Sequence, residues 1–260
     1  MITKRRAVLL VFFCLLFFMN AATASVAKDV GRMRNKWLSR VNKNSKSLER
    51  LYLKQALLIT REEVAFGQQQ VVQLIGQRRD LFDGLSSAKS RNLFEHSDRK
   101  ILDVGALYIE DDQDNITDSL HYVTAWRKVG DDWLREVDII LPMVKTDAVG
   151  DDIGPRRAAW VKYANGDDPE SMATELFLHD AMYLNNSEMS KGYAEIAKRL
   201  SFIVNSTFHI NLTEKQVYGV DDRTIIDIGN WITAEFVGYY LILWQKDEHD
   251  VWKIYLYFNF

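Results

Sequence analysis

The sequence predicts an α+β protein built from two tandem units, each a curved, mostly antiparallel sheet wrapped around helices. Three observations support this fold class. Residues 216–260 alternate apolar and polar side chains between short turns, each half of the chain opens with apolar residues at helical spacing, and several residue pairs recur at one separation in both halves. Because a twisted sheet has a concave face that must be covered, we expect the helices to pack there.

The strand pattern is clearest at the C-terminal end. Gln216–Trp231 predicts a hairpin that turns at Val220–Arg223, and Tyr239–Gln245 and Val251–Phe260 predict two further strands on either side of a charged turn. Side chains of the last strand should face alternate sides of the sheet. One face carries Trp252, Ile254, Leu256 and Phe258, and the other carries Lys253, Tyr255 and Tyr257.

The first 24 residues have the pattern of a secretory signal peptide. Lys4–Arg6 precede the apolar run Ala7–Met19, and the small residues Ala21–Ala24 follow it. We expect cleavage after Ala24, export to the periplasm or secretion, and no stable membrane span afterwards. Cleavage would also remove Cys14, the one cysteine, so that the core alone would stabilise the exported chain.

Residues 28–142 form the first predicted domain. Its opening helix is indicated by apolar residues at three-and-four spacing: Val30, Met33, Trp37 and Val41. Two more helices are predicted, one with Leu48, Leu51 and Tyr52 as its buried stripe and one over Val64–Ile75. The strands that follow are expected at Ile101–Glu110, His121–Lys128 and Trp133–Leu141.

A linker rich in Asp and Gly, residues 143–155, separates this domain from the second, residues 156–260. The second domain repeats the plan, with three predicted helices before the sheet opens in Ser201–Thr213: Arg156–Asn165, Pro169–Leu178 and Ser190–Leu200. Recurring residues support a duplication. Leu51, Tyr52 and Ala56 match Leu176, Phe177 and Ala181; Phe66-Gly67 matches Lys191-Gly192; Trp126 and Trp133 match Trp244 and Trp252.

The second domain resembles the SnoaL-like and ketosteroid-isomerase-like branch of the nuclear transport factor 2-like (NTF2-like) superfamily. The resemblance is carried by Leu176–Tyr183, Gly192, Val217-Tyr218, Thr224–Trp231, Gly238-Tyr239 and Trp244–Ile254, and it extends weakly over residues 30–142. It implies two tandem cone-shaped half-barrels with a pocket at the open end. It implies no single activity, because the superfamily includes isomerases, cyclases, dehydratases and non-catalytic binding domains.

The catalytic positions of the isomerases can be carried over from this resemblance. The aspartate that removes a proton beside the substrate carbonyl falls at or beside Asn185, and an amide cannot act as a general base. The oxyanion-binding tyrosine falls at Ala159 or Trp160, whereas the acid partner falls near Tyr240, which can still donate a hydrogen bond. The resemblance therefore argues against steroid-type isomerisation in this chain.

Three residues are candidates for other acid/base chemistry. Asp227 lies in the most apolar part of a strand, where burial would raise its pKa, unless it points outward into solvent. Tyr240 would be its partner. His179 either pairs with Asp180 or is unrelated to an aspartate that caps a helix end, and His209 is expected at the surface.

An apolar ligand pocket in the second domain is the other candidate site. Its expected lining residues are Trp160, Tyr183, Asn185, Phe208, Trp231 and Trp244. Aromatic residues at strand spacing also occur in cores, so each could instead be a packing residue. The sequence contains no metal-ligand pattern, phosphate-binding loop or nucleophile elbow, and we expect neither a metal nor a cofactor.

Charge is distributed unevenly along a chain whose net charge is -3, a value that gives no indication of nucleic-acid binding. Residues 28–100 carry 16 Lys and Arg against 8 Asp and Glu, whereas residues 101–260 carry 14 against 28. Ordinary solvated surfaces explain this asymmetry. The functional alternative is a basic face that docks on an anionic envelope or partner surface.

These observations leave three functions open. The chain binds a small, mostly apolar molecule in the second domain, or it is an acid/base lyase, cyclase or isomerase that uses Asp227, Tyr240 and His179, or it is a non-catalytic envelope interaction or assembly protein. We favour the binding protein, because the isomerase aspartate is missing at Asn185. The two domains are expected to pack as an internal pseudo-dimer, and a homo-oligomer is an additional expectation.

Overall fold

The computed structural model describes residues 26–43, 46–143, 153–204 and 209–260. Within them the chain forms two compact units, each with one six-stranded sheet and its own helices. The predicted fold class is confirmed: two tandem α+β units with open, mostly antiparallel sheets. The predicted signal peptide, residues 1–24, lies outside the described residues, as does most of the predicted linker. No helix in the described part is long and apolar enough to cross a membrane.

The first domain begins with α1, residues 26–42, and its buried residues include the predicted Val30, Trp37 and Val41. The elements that follow are a 3-10 turn (Lys46–Leu51), β1 (Tyr52–Ile59), β2 (Val64–Phe66), α2 (Gln68–Gln77), α3 (Arg79–Phe82), β3 (Leu85–Ser97), β4 (Lys100–Glu110), β5 (Ile116–Val129) and β6 (Asp132–Pro142). The strand order is β2-β1-β6-β5-β4-β3, and β1 runs parallel to β6.

The second domain repeats this order of elements. They are α4 (Gly154–Ala164), α5 (Pro169–Leu176), β7 (Phe177–Asn185), β8 (Glu188–Lys191), α6 (Tyr193–Arg199), a 3-10 turn (Leu200–Ile203), β9 (Asn211–Asp221), β10 (Thr224–Ile232), β11 (Val237–Lys246) and β12 (Trp252–Asn259). The strand order is β8-β7-β12-β11-β10-β9, with β7 parallel to β12. Residues of all three helices pack in one buried cluster with residues of the sheet.

The duplication is visible in the hydrogen bonds of two matching turns. Gly67 and Gly192 each precede a helix with a positive φ, 102° and 79°, which glycine adopts without strain. The Gly67 N–H donates to the Ala56 carbonyl at 2.8 Å, and the Gly192 N–H donates to the Ala181 carbonyl at 2.9 Å. The glycine and alanine matches noted in the sequence therefore mark equivalent turns.

Several predicted helices are wrong at their ends, because strands replace them. Tyr52 opens β1 instead of completing a helix, Val64 lies in β2, and the helix predicted to Leu178 ends at Leu176. Residues 56–60, at the end of β1 and just after it, are all buried, on whichever face of the sheet they lie. The strand lies between β2 and β6 in the sheet. A run that is apolar on both faces shows no alternation by which to tell a strand from a helix.

The structure differs from the prediction at two further places, the segment from β8 to β9 and the edge strand β3. The predicted helix Ser190–Leu200 begins with the end of β8 and becomes helical at Tyr193. The sheet was expected to open in Ser201–Thr213, but it already includes β7 and β8, and the strand in this stretch, β9, begins at Asn211. The long strand β3 was not predicted. It lies at the edge of its sheet and is largely polar and half-buried, so it lacks the apolar pattern that indicates a strand.

The last strand changes face in its middle, which corrects the predicted alternation. Leu243 pairs with Leu256 but Trp244 pairs with Ile254, so Tyr255 is an extra residue that forms a β-bulge. Before the bulge, Ile254 belongs to the core under the helices, and after it Tyr257 belongs to the same core. Tyr257 was predicted on the opposite face, because a strict period of two cannot account for an inserted residue.

The interior of the first domain holds a buried cation. Arg135, which is 2% exposed, donates from Nε and Nη2 to the two carboxylate oxygens of Asp138 at 2.6 and 2.7 Å. The Tyr52 hydroxyl donates to the same carboxylate at 2.8 Å. The guanidinium carbon lies 4.3 Å from the ring centroid of Trp37 and 4.9 Å from that of Trp126. Two indoles and one carboxylate therefore surround the cation.

We expect the Arg135→Ile variant to lose about 3–5 kcal/mol of stability, because it leaves the buried Asp138 carboxylate without its cation. The double variant R135I/D138Y carries the residues that the second domain has at the equivalent positions, Ile254 and Tyr257, and should recover much of the loss. Urea unfolding followed by tryptophan fluorescence measures both. A double variant no more stable than the single one would contradict the ion-pair assignment.

Candidate ligand-binding site

The second domain contains a cavity of about 480 Å³ with a largely aromatic wall. Six of its lining residues carry Phe, Tyr or Trp rings: Trp160, Tyr183, Phe202, Trp231, Phe236 and Tyr257. The remaining lining residues are Asn185, His209, Ile210, Thr233, Ala234, Glu235 and Asn259. Its size and lining are those of sites that hold small organic molecules.

Stacked rings form one part of this wall. Tyr257 of β12 lies parallel to Trp160 of α4, with ring centroids 5.3 Å apart and 1° between the planes. Tyr183 of β7 stacks with Tyr257 at 5.4 Å and 9°. The three rings come from three different elements, and all are nearly completely buried. Since the bulge at Tyr255 turns Tyr257 inward, the stack depends on that one extra residue.

Trp231 occupies its place because the residue opposite has no side chain. Trp231 of β10 pairs with Gly238 of β11, and a Cβ at position 238 would overlap the indole ring. The Asn230 side chain also donates to the Gly238 carbonyl at 3.0 Å. The indole therefore lies against the backbone of the neighbouring strand, an arrangement that a side chain at 238 would prevent.

The mouth of the cavity is apolar and exposed. Phe202 and Phe236 line the cavity and are 51% and 64% exposed. Phe236 lies on the turn between β10 and β11, which is flanked by the exposed Ile232 and Val237. Exposed apolar side chains beside a cavity are typical of the entrance to a site for an apolar ligand.

Four buried polar atoms of the cavity-lining residues have no hydrogen-bond partner among the described residues. They are Trp160 Nε1, Trp231 Nε1, Tyr257 OH and Asn259 Oδ1. Leaving such an atom unpaired costs about 1–3 kcal/mol. Asn259 Nδ2 donates to the Tyr183 hydroxyl at 3.0 Å, which leaves its carbonyl oxygen as the unpaired atom. Polar atoms of a ligand or of water satisfy groups of this kind.

Asp227 and Tyr240 lie together in the core beside the cavity. Asp227 is fully buried and accepts from Arg157 Nε at 3.0 Å, from Tyr240 OH at 3.3 Å and from Trp244 Nε1 at 3.3 Å. Asp227, Tyr240 and Trp244 are not among the described residues that line the cavity. The carboxylate therefore has three protein partners, and one of them, Tyr240, stacks on the lining residue Tyr257 with ring centroids 6.4 Å apart.

Opposing influences act on the pKa of Asp227. Burial raises it, and the hydrogen bond and charge of Arg157 lower it, and the outcome is a pKa above the usual range for aspartate. Burial and the neighbouring carboxylate raise the pKa of Tyr240. A folded-state pKa above that of an unfolded aspartate means that ionisation of Asp227 lowers stability as the pH rises through that value.

The first domain contains the same arrangement. Asp103 accepts from Arg34 Nη1 at 2.8 Å and from Tyr122 OH at 3.1 Å. Arg34 is three residues before Trp37, as Arg157 is three residues before Trp160, and Tyr122 is four residues before Trp126, as Tyr240 is four residues before Trp244. A group repeated in this way in both domains is explained by a role in holding the first helix on the sheet.

The structure distributes the other predicted site residues differently. Trp160, Tyr183, Asn185 and Trp231 line the cavity, and Phe208 lies outside the described residues. His179 has a side chain that is 83% exposed and approaches Asp180 only at 3.8 Å, so it is not part of the Asp227 group. His209, expected at the surface, is exposed at the cavity mouth.

The lining residues that were not predicted are Phe202, His209, Ile210, Tyr257, Asn259 and the turn residues 233–236. Asn259 could have been found only from the bulge, which places it on the same face as Tyr257. The turn residues carry no periodicity, and their role follows from the strand pairing alone. Within the described ranges, no group of three or more His, Cys, Asp or Glu residues could hold a metal ion.

No protein-family model matches the sequence, and no curated protein matches it. Solved structures match stretches the size of one domain. An NTF-2 like protein of unknown function from Shewanella oneidensis is 12% identical with a TM-score of 0.38, covering 44% of this chain and 98% of its own. A ketosteroid isomerase-like protein from Erwinia carotovora atroseptica is 9% identical with a TM-score of 0.38, covering 45% and 96%.

A protein of unknown function with a cystatin-like fold from Nostoc punctiforme is 14% identical with a TM-score of 0.39, and the match covers 45% of this chain and 90% of that one. Each of these matches covers less than half of this chain. The architecture itself is established by the strand order and pairing. No activity is carried over from the matched proteins.

We expect the Arg157→Met variant to lose stability in a pH-dependent way. It removes both the hydrogen bond and the charge that lower the pKa of Asp227, so this pKa rises further. The cost should be small near pH 4, where the carboxyl group is protonated, and about 3–5 kcal/mol at pH 8, where a charge without a partner would be buried. Urea unfolding at the two pH values measures the difference.

The neighbouring Arg156 supplies the matched control. It donates to the Glu175 carbonyl and does not bond to Asp227, so Arg156→Met should show no comparable rise in cost between pH 4 and pH 8. An Arg157→Met cost that is the same at both pH values would show that Asp227 does not depend on this arginine.

Proposed function

We propose that this chain is an exported protein that binds a small, mostly apolar molecule in the cavity of its second domain and has no isomerase activity. The observation that carries the proposal is the cavity of about 480 Å³, lined by six aromatic residues and containing unpaired buried polar atoms in its wall. Export rests on the signal-peptide pattern of residues 1–24.

The position of Asn185 supports binding without proton abstraction. It lines the cavity at the end of β7, where the resemblance places the isomerase base, and its amide cannot accept a proton from carbon at neutral pH. Glu235, the one carboxylate among the described lining residues, is on an exposed turn at the mouth. A carboxylate in such a position is exposed to water.

The acid/base alternative receives less support from the geometry. A catalytic carboxylate must reach the reacting atoms, and Asp227 has three protein partners and is not among the described residues that line the cavity. The third function, envelope interaction, would be favoured by a cavity filled with the protein's own side chains. The second domain has an open cavity, which favours a ligand over that reading.

Native mass spectrometry of the protein purified from its own compartment tests the proposal. We expect a folded mass that exceeds the denatured mass by that of a small molecule, and a denatured mass that lacks residues 1–24. A folded protein that carries no small molecule, and that also fails to bind any member of an apolar compound library, would overturn the binding function. A retained N-terminus would overturn cleavage and the export inferred from it.

Two tyrosine variants separate binding from stability. Tyr257→Phe removes an unpaired buried hydroxyl, so the free protein should be at least as stable as the wild type, while affinity for the co-purified molecule falls about fivefold to tenfold. Tyr240→Phe removes a hydroxyl that donates to Asp227 and should cost about 1 kcal/mol of stability without changing affinity. Calorimetric titration and urea unfolding measure the two effects, and the reverse pattern would contradict this assignment.

A further inference from the structure

The aromatic interior of the first domain holds a cation, the guanidinium of Arg135. Its buried guanidinium lies over the faces of Trp37 and Trp126, at 4.3 and 4.9 Å from the ring centroids. Faces of indole rings carry negative electrostatic potential, so they attract cations most strongly where water is excluded. The cation in this domain belongs to the protein itself, as the side chain of Arg135.

The second domain keeps the aromatic frame and lacks the cation. Trp160 and Trp244 follow their arginine and tyrosine at the same spacing as Trp37 and Trp126. Strand pairing gives the remaining correspondence, because Tyr52 pairs with Arg135 and Phe177 pairs with Ile254. The second domain thus has Ile254 where the first has its guanidinium. Ile254 and Trp244 are buried, and the cavity opens beside Trp160 and Tyr257.

The charge around this cavity also favours a cation. Its described lining includes six Phe, Tyr or Trp rings and Glu235, and none of these lining residues is Lys or Arg. Among the unpaired buried polar atoms of the lining residues, Asn259 Oδ1 is an acceptor, and Trp160 Nε1, Trp231 Nε1 and Tyr257 OH can donate. Residues 153–260 carry 15 Asp and Glu against 10 Lys and Arg, a net charge of -5 that raises the local concentration of cations.

We propose that the ligand of the second domain is a mostly apolar organic cation, a quaternary ammonium or alkylated amine whose charged centre lies against the rings of the cavity. This inference rests on the proposed binding function and specifies its ligand class. The aromatic rings replace the hydration of the charged centre, and the apolar substituents contact the rest of the wall. The carboxylate of Glu235 disfavours an anion, and the described lining contains no Lys or Arg, with His209 as its one basic side chain.

A matched pair of ligands tests the charge alone. Benzoylcholine and 3,3-dimethylbutyl benzoate have the same shape, and they differ in a quaternary nitrogen that replaces a carbon. Titration calorimetry with the full chain should give a dissociation constant about tenfold lower for benzoylcholine. Equal or tighter binding of the neutral ester would overturn the cation inference and leave apolar binding in place. Failure of both ligands to bind would count against the cation site, whereas the co-purified molecule still decides the binding function.

Variants of exposed residues at the mouth test whether the preference for the cation arises in this cavity. Their exposed positions keep the effect on folding small. Phe236→Leu keeps an apolar side chain but removes a ring that is 64% exposed, and Glu235→Gln removes the carboxylate. Each should reduce the preference for benzoylcholine about threefold while affinity for the neutral ester changes little. Glu248→Gln, at an exposed turn away from the cavity, is the control and should leave the preference unchanged. A preference that persists in both mouth variants and falls in the control would contradict a cation in this cavity.

Discussion

A buried aspartate that ties the opening helix to the sheet is the interaction on which each domain depends. Arg34 of α1 donates to Asp103, and Arg157 of α4 donates to Asp227, and both carboxylates are completely buried. Apolar contacts alone would let the helix shift along the sheet, whereas a buried charge tolerates only the position in which its partner reaches it. The ion pair therefore fixes the depth at which each helix inserts its tryptophan, and with it the width of the space underneath.

The residues that lie under each opening helix come from the last strand of that domain, β6 or β12. The first domain uses Arg135 and Asp138, which form a hydrogen-bonded ion pair beside two indoles. The second uses Ile254, which is buried, and Tyr257, which stacks on Trp160 and lines the cavity. Equivalent positions thus hold an ion pair in one domain and an isoleucine and a tyrosine in the other. Duplication allows this difference, since the two copies can change independently.

Much of the fold was predictable, because hairpins and amphipathic helices leave periodic patterns in the sequence, and the C-terminal strands and α1 were placed correctly. The strands β1 and β7 were missed since both faces are buried, and the inward position of Tyr257 was missed since a bulge breaks the period at Tyr255. At the site, four of the predicted lining residues lie at the cavity. The separation of Asp227 from that cavity depends on tertiary packing, which strand alternation does not encode.

The size of the residue at position 238 determines where the Trp231 ring lies, and therefore how wide the cavity is. The indole lies against the strand only because position 238 has no side chain, so even one added methyl group would push the ring away from the backbone. Residue 238 does not itself line the cavity, and yet its size determines how much of the wall the tryptophan occupies. The width of the cavity can therefore be altered through a residue that does not line it.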